Sequence, residues 1–397
     1  MTSPNTNRAD RKNTTLHLPL KVSLTEEAIH WFIKHNKKLM RVQLGDSSSE
    51  YGLVLSSISL PALQKMISLN YVSLLEIGRM EFSSKRSEIL DLTKLIAYQI
   101  LYKDFERQAV NLFLETSLIR HWNRTHPTRI IDNNSAINRK FVECFLEDSK
   151  AEITEIREEI TAPVLQELGR NPRLSEEERQ IYEFQAERFL QCIPSTMWCI
   201  LTKSRGLREY ELLIEQIQKI LTAFLEKSTI PEYLSLMILE LLNYTEKSLY
   251  TQTIKDLYPH YNEQAGQAII MDPGKRQEAL ETLRKQGEQI YLAYQIGAKK
   301  ASIGTAGRLQ ITILNSEQEY RETKKRIEEK MDLETNGKSL LNFYKEEGPA
   351  AIAQELGLFY LSYLHDACAK MNIRFESTVT QTIQETGQTI IRLALHF

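Results

Sequence analysis

Glu355-Leu-Gly-Leu-Phe-Tyr-Leu361, Asn372-Ile-Arg-Phe-Glu-Ser377 and Gly387-Gln-Thr-Ile-Ile-Arg-Leu-Ala-Leu395 are the segments that decide how this chain is read. Within Gly348–Phe397 they give a helix, a strand, a turn and a closing strand. Upstream, Leu309-Gln-Ile-Thr-Ile-Leu314 is a further strand. Two long helices, Glu209–Leu225 and Ile230–Leu249, flank a short turn, and a helical run over Gly274–Tyr294 follows a Pro-Gly turn. Residues 209–397 therefore form a unit in which helices and strands mix.

At the other end, residues 1–14 are polar and read as a disordered tail. Leu16–Val22 alternates apolar and polar residues, as a half-buried strand does. Ser23-Leu-Thr-Glu26 matches a capping box and opens a helix carrying Ala28, Trp31 and Phe32 on one face. Leu39–Leu44 and Tyr51–Leu55 are strands, with Asp46–Ser49 as the turn between them. Residues 15–75 thus read as a small α+β unit.

Residues 76–208 are helical, with Leu92, Leu95, Ile96, Ile100 and Leu101 at three- and four-residue steps. Asn123–Asn134 breaks the pattern. Phe141–Leu168 is a further run, and Pro163 is placed to kink or divide it. Ser175-Glu-Glu-Glu178 is a second capping box, opening a helix through Leu190. The apolar segment Ile193–Leu201, with Met197, Trp198 and Cys199, either packs a helix into a core or forms a helix–helix dimer face.

The chain has 397 residues, 42% apolar and 26% charged, the composition of an ordinary globular protein with room for two or three domains. A net charge of −2 and a pI near 6.5 lack the basic footprint of a nucleic-acid binder. The four cysteines form no Cys-x-x-Cys pair and read as buried, reduced thiols. Met1–Thr15 carries no apolar signal core, and no apolar run reaches the length of a membrane span, so a cytoplasmic protein without a membrane span is expected.

The C-terminal unit resembles the ATPase domain of the gyrase, histidine kinase and MutL superfamily, an α/β sandwich, over residues 210–397. In that family a helix carries Glu-Leu-x-x-Asn-Ala, whose Asn helps to hold Mg²⁺ against the triphosphate. Here the segment is Glu240-Leu-Leu-Asn243-Tyr244-Thr245. Aligned on Glu240, the metal position holds Tyr244, and Asn243 is rotated roughly 100° away. A phenol does not replace an amide oxygen on a hard cation. The adenine motif Asp-x-Gly-x-Gly becomes Asn315-Ser-Glu317-Gln-Glu319. Asn315 still accepts a hydrogen bond, but glutamates stand where glycines would let the backbone approach a nucleotide. The phosphate-cradling glycine motif becomes Ala353-Gln-Glu355-Leu-Gly357-Leu358, with its last glycine kept. The closing Gly-Thr motif becomes Gly387-Gln-Thr389, one residue longer. The resemblance implies a nucleotide pocket reduced to Glu240, Asn243, Tyr244, Asn315, Gly357 and Thr389. The interval from Asn243 to Asn315 is longer than the family uses and takes in the charged helix Lys275–Ile290, read as an insertion or a replaced lid.

Other motifs carry less. His121 and His126 stand in Ile119-Arg-His-Trp-Asn-Arg-Thr-His-Pro127 without the flanking pattern of a phospho-accepting histidine, and read as a helix end. Asn336-Gly-Lys-Ser339 lacks the first glycine of a P-loop, since that position is Asp332. Glu152–Glu159 and Glu176–Glu183 lack the Glu-x-x-His companion of helical di-metal sites and read as solvated helix faces.

The expected protein is α+β in three parts and non-catalytic. It regulates or scaffolds through protein contacts, as a homodimer with protein partners and without nucleic acid, metal or a required cofactor. Two alternatives stay open: a divergent Mg-ATP-binding kinase of histidine-kinase type, and a sensor of another nucleotide or second messenger in the altered pocket.

Overall fold

The computed structural model describes residues 15–44, 48–128, 130–132, 145–170, 176–260, 272–297, 308–315, 324–325, 361–381 and 388–396. The chain is α+β and divides into two compact units, one formed by residues 1–100 with 230–397 and the other by residues 101–229. The strands are β1 (Thr15–Leu16), β2 (Leu20–Leu24), β3 (Met40–Leu44), β4 (Ser48–Leu55), β5 (Ile58–Ser59), β6 (Val72–Arg79), β7 (Ile290–Ile296), β8 (Arg308–Asn315), β9 (Arg374–Gln381) and β10 (Thr389–His396). The helices are α1 (Glu26–Lys34), α2 (Leu60–Ser68), α3 (Arg86–Leu114), α4 (Ser117–Thr125), α5 (Lys150–Gly169), α6 (Glu176–Cys192), α7 (Ser195–Ser204), α8 (Tyr210–Lys227), α9 (Thr229–Leu257) and α10 (Pro273–Gln286), with a further helix at 361–370.

The first unit is built on an eight-stranded sheet in the order β3-β4-β2-β6-β7-β8-β10-β9. Every ladder in it is antiparallel. Because side chains alternate between faces, one transverse row of partners reports the character of each face. Leu55, Leu20, Ile77, Leu292, Ile313, Ile391 and Val379 are successive partners across seven strands. Most of that row is fully buried. The adjacent row is Val54, Lys21, Glu76, Ala293, Thr312, Arg392 and Thr378, all exposed or half-buried. One face is thus core and the other meets solvent, the usual division for an antiparallel sheet.

Helix α3 lies on the core face. Its Ile89, Leu92, Ile96 and Ala97 are buried at helical spacing. The Tyr294 hydroxyl, at 0% exposure, is 2.6 Å from Thr93 Oγ1. Thr93 already donates to the Ile89 carbonyl at 2.8 Å, so Tyr294 is the donor in the pair. Tyr294→Phe removes that one bond and leaves Thr93 satisfied by Ile89. A loss of about 1 kcal/mol in a urea titration is expected.

Four helices end by one device. Asn36, Asn70 and Asn372 have φ of 51°, 57° and 54°, and Gly287 has 72°. In each case the next residue's N–H reaches back to close a Schellman turn: Lys37 to Phe32, Tyr71 to Met66, Ile373 to Cys368 and Glu288 to Leu283. Asparagine and glycine tolerate this left-handed conformation, and each turn starts the chain back toward the sheet.

In the second unit, Tyr102, Phe105, Phe189 and Phe224 form an aromatic core with ring centroids 5.1–6.0 Å apart. Met197, Trp198 and Leu201 of α7 are buried, which decides for packing between the two readings of Ile193–Leu201. Helix α5 runs through Pro163 without a break. Arg205 pairs with Glu155 at 2.8 Å and Glu159 at 3.1 Å, and Tyr210 donates to Glu159 at 2.6 Å. The glutamates of α5 therefore pair with an arginine, as solvated helix faces do.

Several expectations are corrected. The cap of α1 is Thr25, whose hydroxyl accepts from the Ala28 N–H, while Ser23 belongs to β2. The helix expected over Gly274–Tyr294 ends at Gln286, and Ile290–Ile296 is a strand. The left-handed Gly287 stops the helix, and the alternation of Ile290, Leu292 and Tyr294 then follows the sheet period. Ser48 and Ser49, read as turn, lie in β4. The β6–β7 ladder joins Leu74–Arg79 to Ile290–Gln295, so the sheet is shared across the boundaries drawn at residues 75 and 209. The tail 1–14, Ser175 and the Asn336–Ser339 segment lie outside the described residues.

Candidate functional site

Helix α9 carries Glu240, Asn243 and Tyr244. Its buried stripe runs through Leu234, Ile238, Leu241, Leu242, Thr245 and Leu249. Glu240, Asn243 and Tyr244 sit beside that stripe, half-buried and within one turn of each other. Asn315 is the last residue of β8 and Thr389 the first of β10, and the two are direct partners in the ladder. Thr389 is buried. The sheet thus places Asn315 and Thr389 side by side, and α9 groups the other three. Gly357, Glu317, Glu319 and Glu355 lie outside the described residues.

One turn further along α9 is a cluster that the sequence reading passed over. Glu246 is buried, with a side chain only 8% exposed. One carboxylate oxygen accepts the backbone N–H of Phe82 at 2.8 Å and of Ser83 at 3.1 Å. The other accepts from Arg276 of α10 at 3.3 Å. Arg276 also pairs with Glu81 and donates to Ser83 Oγ at 3.1 Å, and the Ser83 hydroxyl bonds to Glu81. The guanidinium lies 5.3 Å from the centroid of the Tyr250 ring.

The local reason is plain. The segment 81–85 leaves β6 and turns through a short 3-10 helix into α3. The first N–H groups of a helix have no partner inside it, and they carry partial positive charge. Glu246 reaches across from α9 and satisfies two of them. Asp272 does the same locally for α10, accepting from Gly274 at 2.9 Å and Lys275 at 3.0 Å.

Burial raises the Glu246 pKa above the usual carboxylate value, and neighbouring Glu81 adds to the rise. The hydrogen bonds from Phe82 and Ser83 and the charge of Arg276 pull the other way without cancelling it. Burial pushes the Tyr250 phenol up to about 12, so it stays protonated. Burial also acts to lower the Arg276 pKa, but Tyr250, Glu81 and Glu246 outweigh it and hold the pKa above its ordinary value. Both Glu246 oxygens are engaged by donors, so the group is a clamp between elements rather than a poised base.

Among the described residues, no group of three or more His, Cys, Asp or Glu side chains could hold a metal ion. No described helix is long and apolar enough to cross a membrane. Glu246 was detectable in principle: it is a carboxylate at helical spacing inside the apolar stripe Leu242, Thr245, Leu249. Its partners were not, because Phe82 and Ser83 offer only backbone groups from far away in sequence.

A family model described as "Family of unknown function (DUF8084)" matches residues 11–397. A protein of Treponema pallidum (strain Nichols), described as "Uncharacterized protein", is 28% identical over 380 residues, covering 96% of this chain and 97% of that one. The comparison with solved structures gives no significant match.

Proposed function

The chain belongs to the DUF8084 family, and we propose that it is a regulatory or scaffold protein, acting through protein contacts, whose C-terminal region keeps a histidine-kinase-like ATPase architecture without the chemistry. The observation that carries this is Tyr244. It occupies the position where the resembled family has its magnesium-holding asparagine, half-buried on α9 beside Glu240. Without that amide oxygen the helix lacks a hard-cation ligand at the position the resembled family uses, since a phenol does not replace it.

The element order supports the architectural half of the proposal. Helix α9 is followed by α10, β7, β8, a helix at 361–370, β9 and β10, and β10 pairs with both β8 and β9. The resemblance implies α9, β8, the helix at 361–370 and the two closing strands in that order, while α10 and β7 lie in the interval read as an insertion. Asn315 and Thr389, both in the reduced pocket that the resemblance implies, are ladder partners. Fold alone carries no activity, so the functional half stands on the substituted residues.

A thermal-shift series with Mg-ATP, Mg-ADP, GTP and cyclic dinucleotides tests the proposal. No shift is expected with any of them. A nucleotide at one hundred times its Kd would add about 2.7 kcal/mol of stability, well within detection. A shift with Mg-ATP would favour the divergent kinase, and a shift with another nucleotide alone would favour the sensor.

A further inference from the structure

We propose that the connection between α1 and β3 docks this chain onto the surface of a lipid bilayer that carries negative charge. Residues 33–41 read Ile-Lys-His-Asn-Lys-Lys-Leu-Met-Arg. All of them except Leu39 are exposed. Lys34, Lys37, Lys38 and Arg41 put four positive charges into these nine residues, and the whole stretch 28–45 contains no Asp or Glu. Ile33, at 60%, is the most exposed large apolar side chain among the described residues, and Met40 is 54% exposed. Tyr51, the ladder partner of Arg41, is exposed as well, with its ring centroid 6.0 Å from the guanidinium.

The fold holds this stretch in the open. Ala28 is fully buried and Thr25 caps α1, so the helix is anchored at its start. Left-handed Asn36 ends the helix, and the Lys37 N–H bonds back to the Phe32 carbonyl at 2.9 Å, so Lys37 and Lys38 follow a closed turn. Among the described residues β3 is the terminal strand of the sheet. Met40 pairs with Gly52, which has no side chain to cover it. Among the described residues, none of Lys34, Lys37 and Lys38 has an ion-pair partner. The acids of α1, Glu26 and Glu27, stand in its first turn. Glu27 is seven residues from Lys34, which is roughly 10 Å along the axis and about a Debye length at ordinary salt.

Charge sets the sign of the partner, and the apolar side chains set its kind. Lysines and arginines near an anionic leaflet are drawn to it, and the attraction is screened by salt. Ile33 and Met40 flank the basic turn, where each leaves water when it enters the boundary between headgroups and acyl chains. The amphipathic ring of Tyr51 suits the headgroup level. A nucleic acid would engage the lysines and leave both aliphatic side chains in water. No described helix is long and apolar enough to cross a membrane, so the proposed contact is peripheral.

Flotation of the full chain with lipid vesicles tests the proposal. Wild-type protein is expected to float with vesicles of phosphatidylglycerol and phosphatidylcholine, to stay behind with phosphatidylcholine alone, and to be released as salt is raised. Lys34→Gln with Lys37→Gln and Lys38→Gln is expected to lower the partition coefficient roughly a hundred-fold. Ile33→Ser with Met40→Ser keeps every charge and is expected to weaken flotation on the same anionic vesicles. These positions are exposed, so circular dichroism of each variant should match wild type. Wild-type protein that fails to float with anionic vesicles would overturn the proposal, and capture of a single-stranded oligonucleotide in its place would assign the lysines to nucleic acid. Flotation that survives the triple substitution, or that is unchanged by the two serines, would overturn it as well.

Discussion

Glu246→Ala is expected to destabilise the protein by about 3 kcal/mol or more, read as a drop in the midpoint of urea unfolding. The variant leaves the Phe82 and Ser83 N–H groups without the carboxylate that accepts from them, and takes from Arg276 one of its two carboxylate partners. Removing one member of a buried, hydrogen-bonded charge group costs far more than the group contributes net, because the remaining partners stay desolvated. Glu246→Gln keeps one acceptor oxygen for the two backbone N–H groups, but turns an amide donor toward Arg276, so a smaller loss is expected. The pH dependence separates the two roles of the carboxylate. Its folded pKa is raised, so its contribution is fully present below the unfolded carboxylate value and is lost as pH rises through the folded one. The stability difference between wild type and Glu246→Gln should therefore narrow as pH rises across that window.

A fragment comprising residues 209–397, the unit drawn from sequence, is expected not to fold cooperatively. Size-exclusion chromatography should show aggregate, and thermal scans should show no sharp transition. Six residue pairs of the β6–β7 ladder disappear with residues 1–208. Strand β7 then becomes an edge carrying Ile290, Leu292 and Tyr294, all fully buried in the intact chain. An exposed apolar edge of this kind templates pairing with other chains. Tyr294 also loses Thr93, and Glu246 loses both backbone donors. A fragment comprising residues 1–100 joined by a flexible linker to 230–397 keeps every one of these contacts, and is expected to unfold cooperatively.

The contrast between these fragments shows where local sequence patterns stop. The strands at 308–315, 374–381 and 389–396 were legible because the period-two alternation and the Asn or Gly punctuation are local signals, whereas the strand expected over 16–22 is broken between Leu16 and Leu20. Helix α9 was legible from its apolar stripe. Ile290–Tyr294 was misassigned because a short apolar run fits either period when it follows a helix directly. The single sheet was not legible at all. An antiparallel ladder between residues 79 and 290 leaves no mark in either segment, and both segments look complete with their own neighbours.

The candidate site divides in the same way. Glu240, Asn243 and Tyr244 fall together because they share a turn of helix, which spacing alone predicts. The partnership of Asn315 with Thr389 needed the strand order. The Glu246 clamp needed three dimensions, since two of its partners are backbone amides and the third, Arg276, belongs to a helix whose sequence reads as an ordinary charged surface.

The central claim is that the ATPase-like region has kept its architecture and lost its nucleotide. Isothermal titration of the full-length protein with Mg-ATP tests it most directly, run in parallel on wild type and Asn315→Ala. The account predicts no binding heat from either protein. Saturable micromolar binding by wild type that disappears in Asn315→Ala, with the variant still folded, would contradict it.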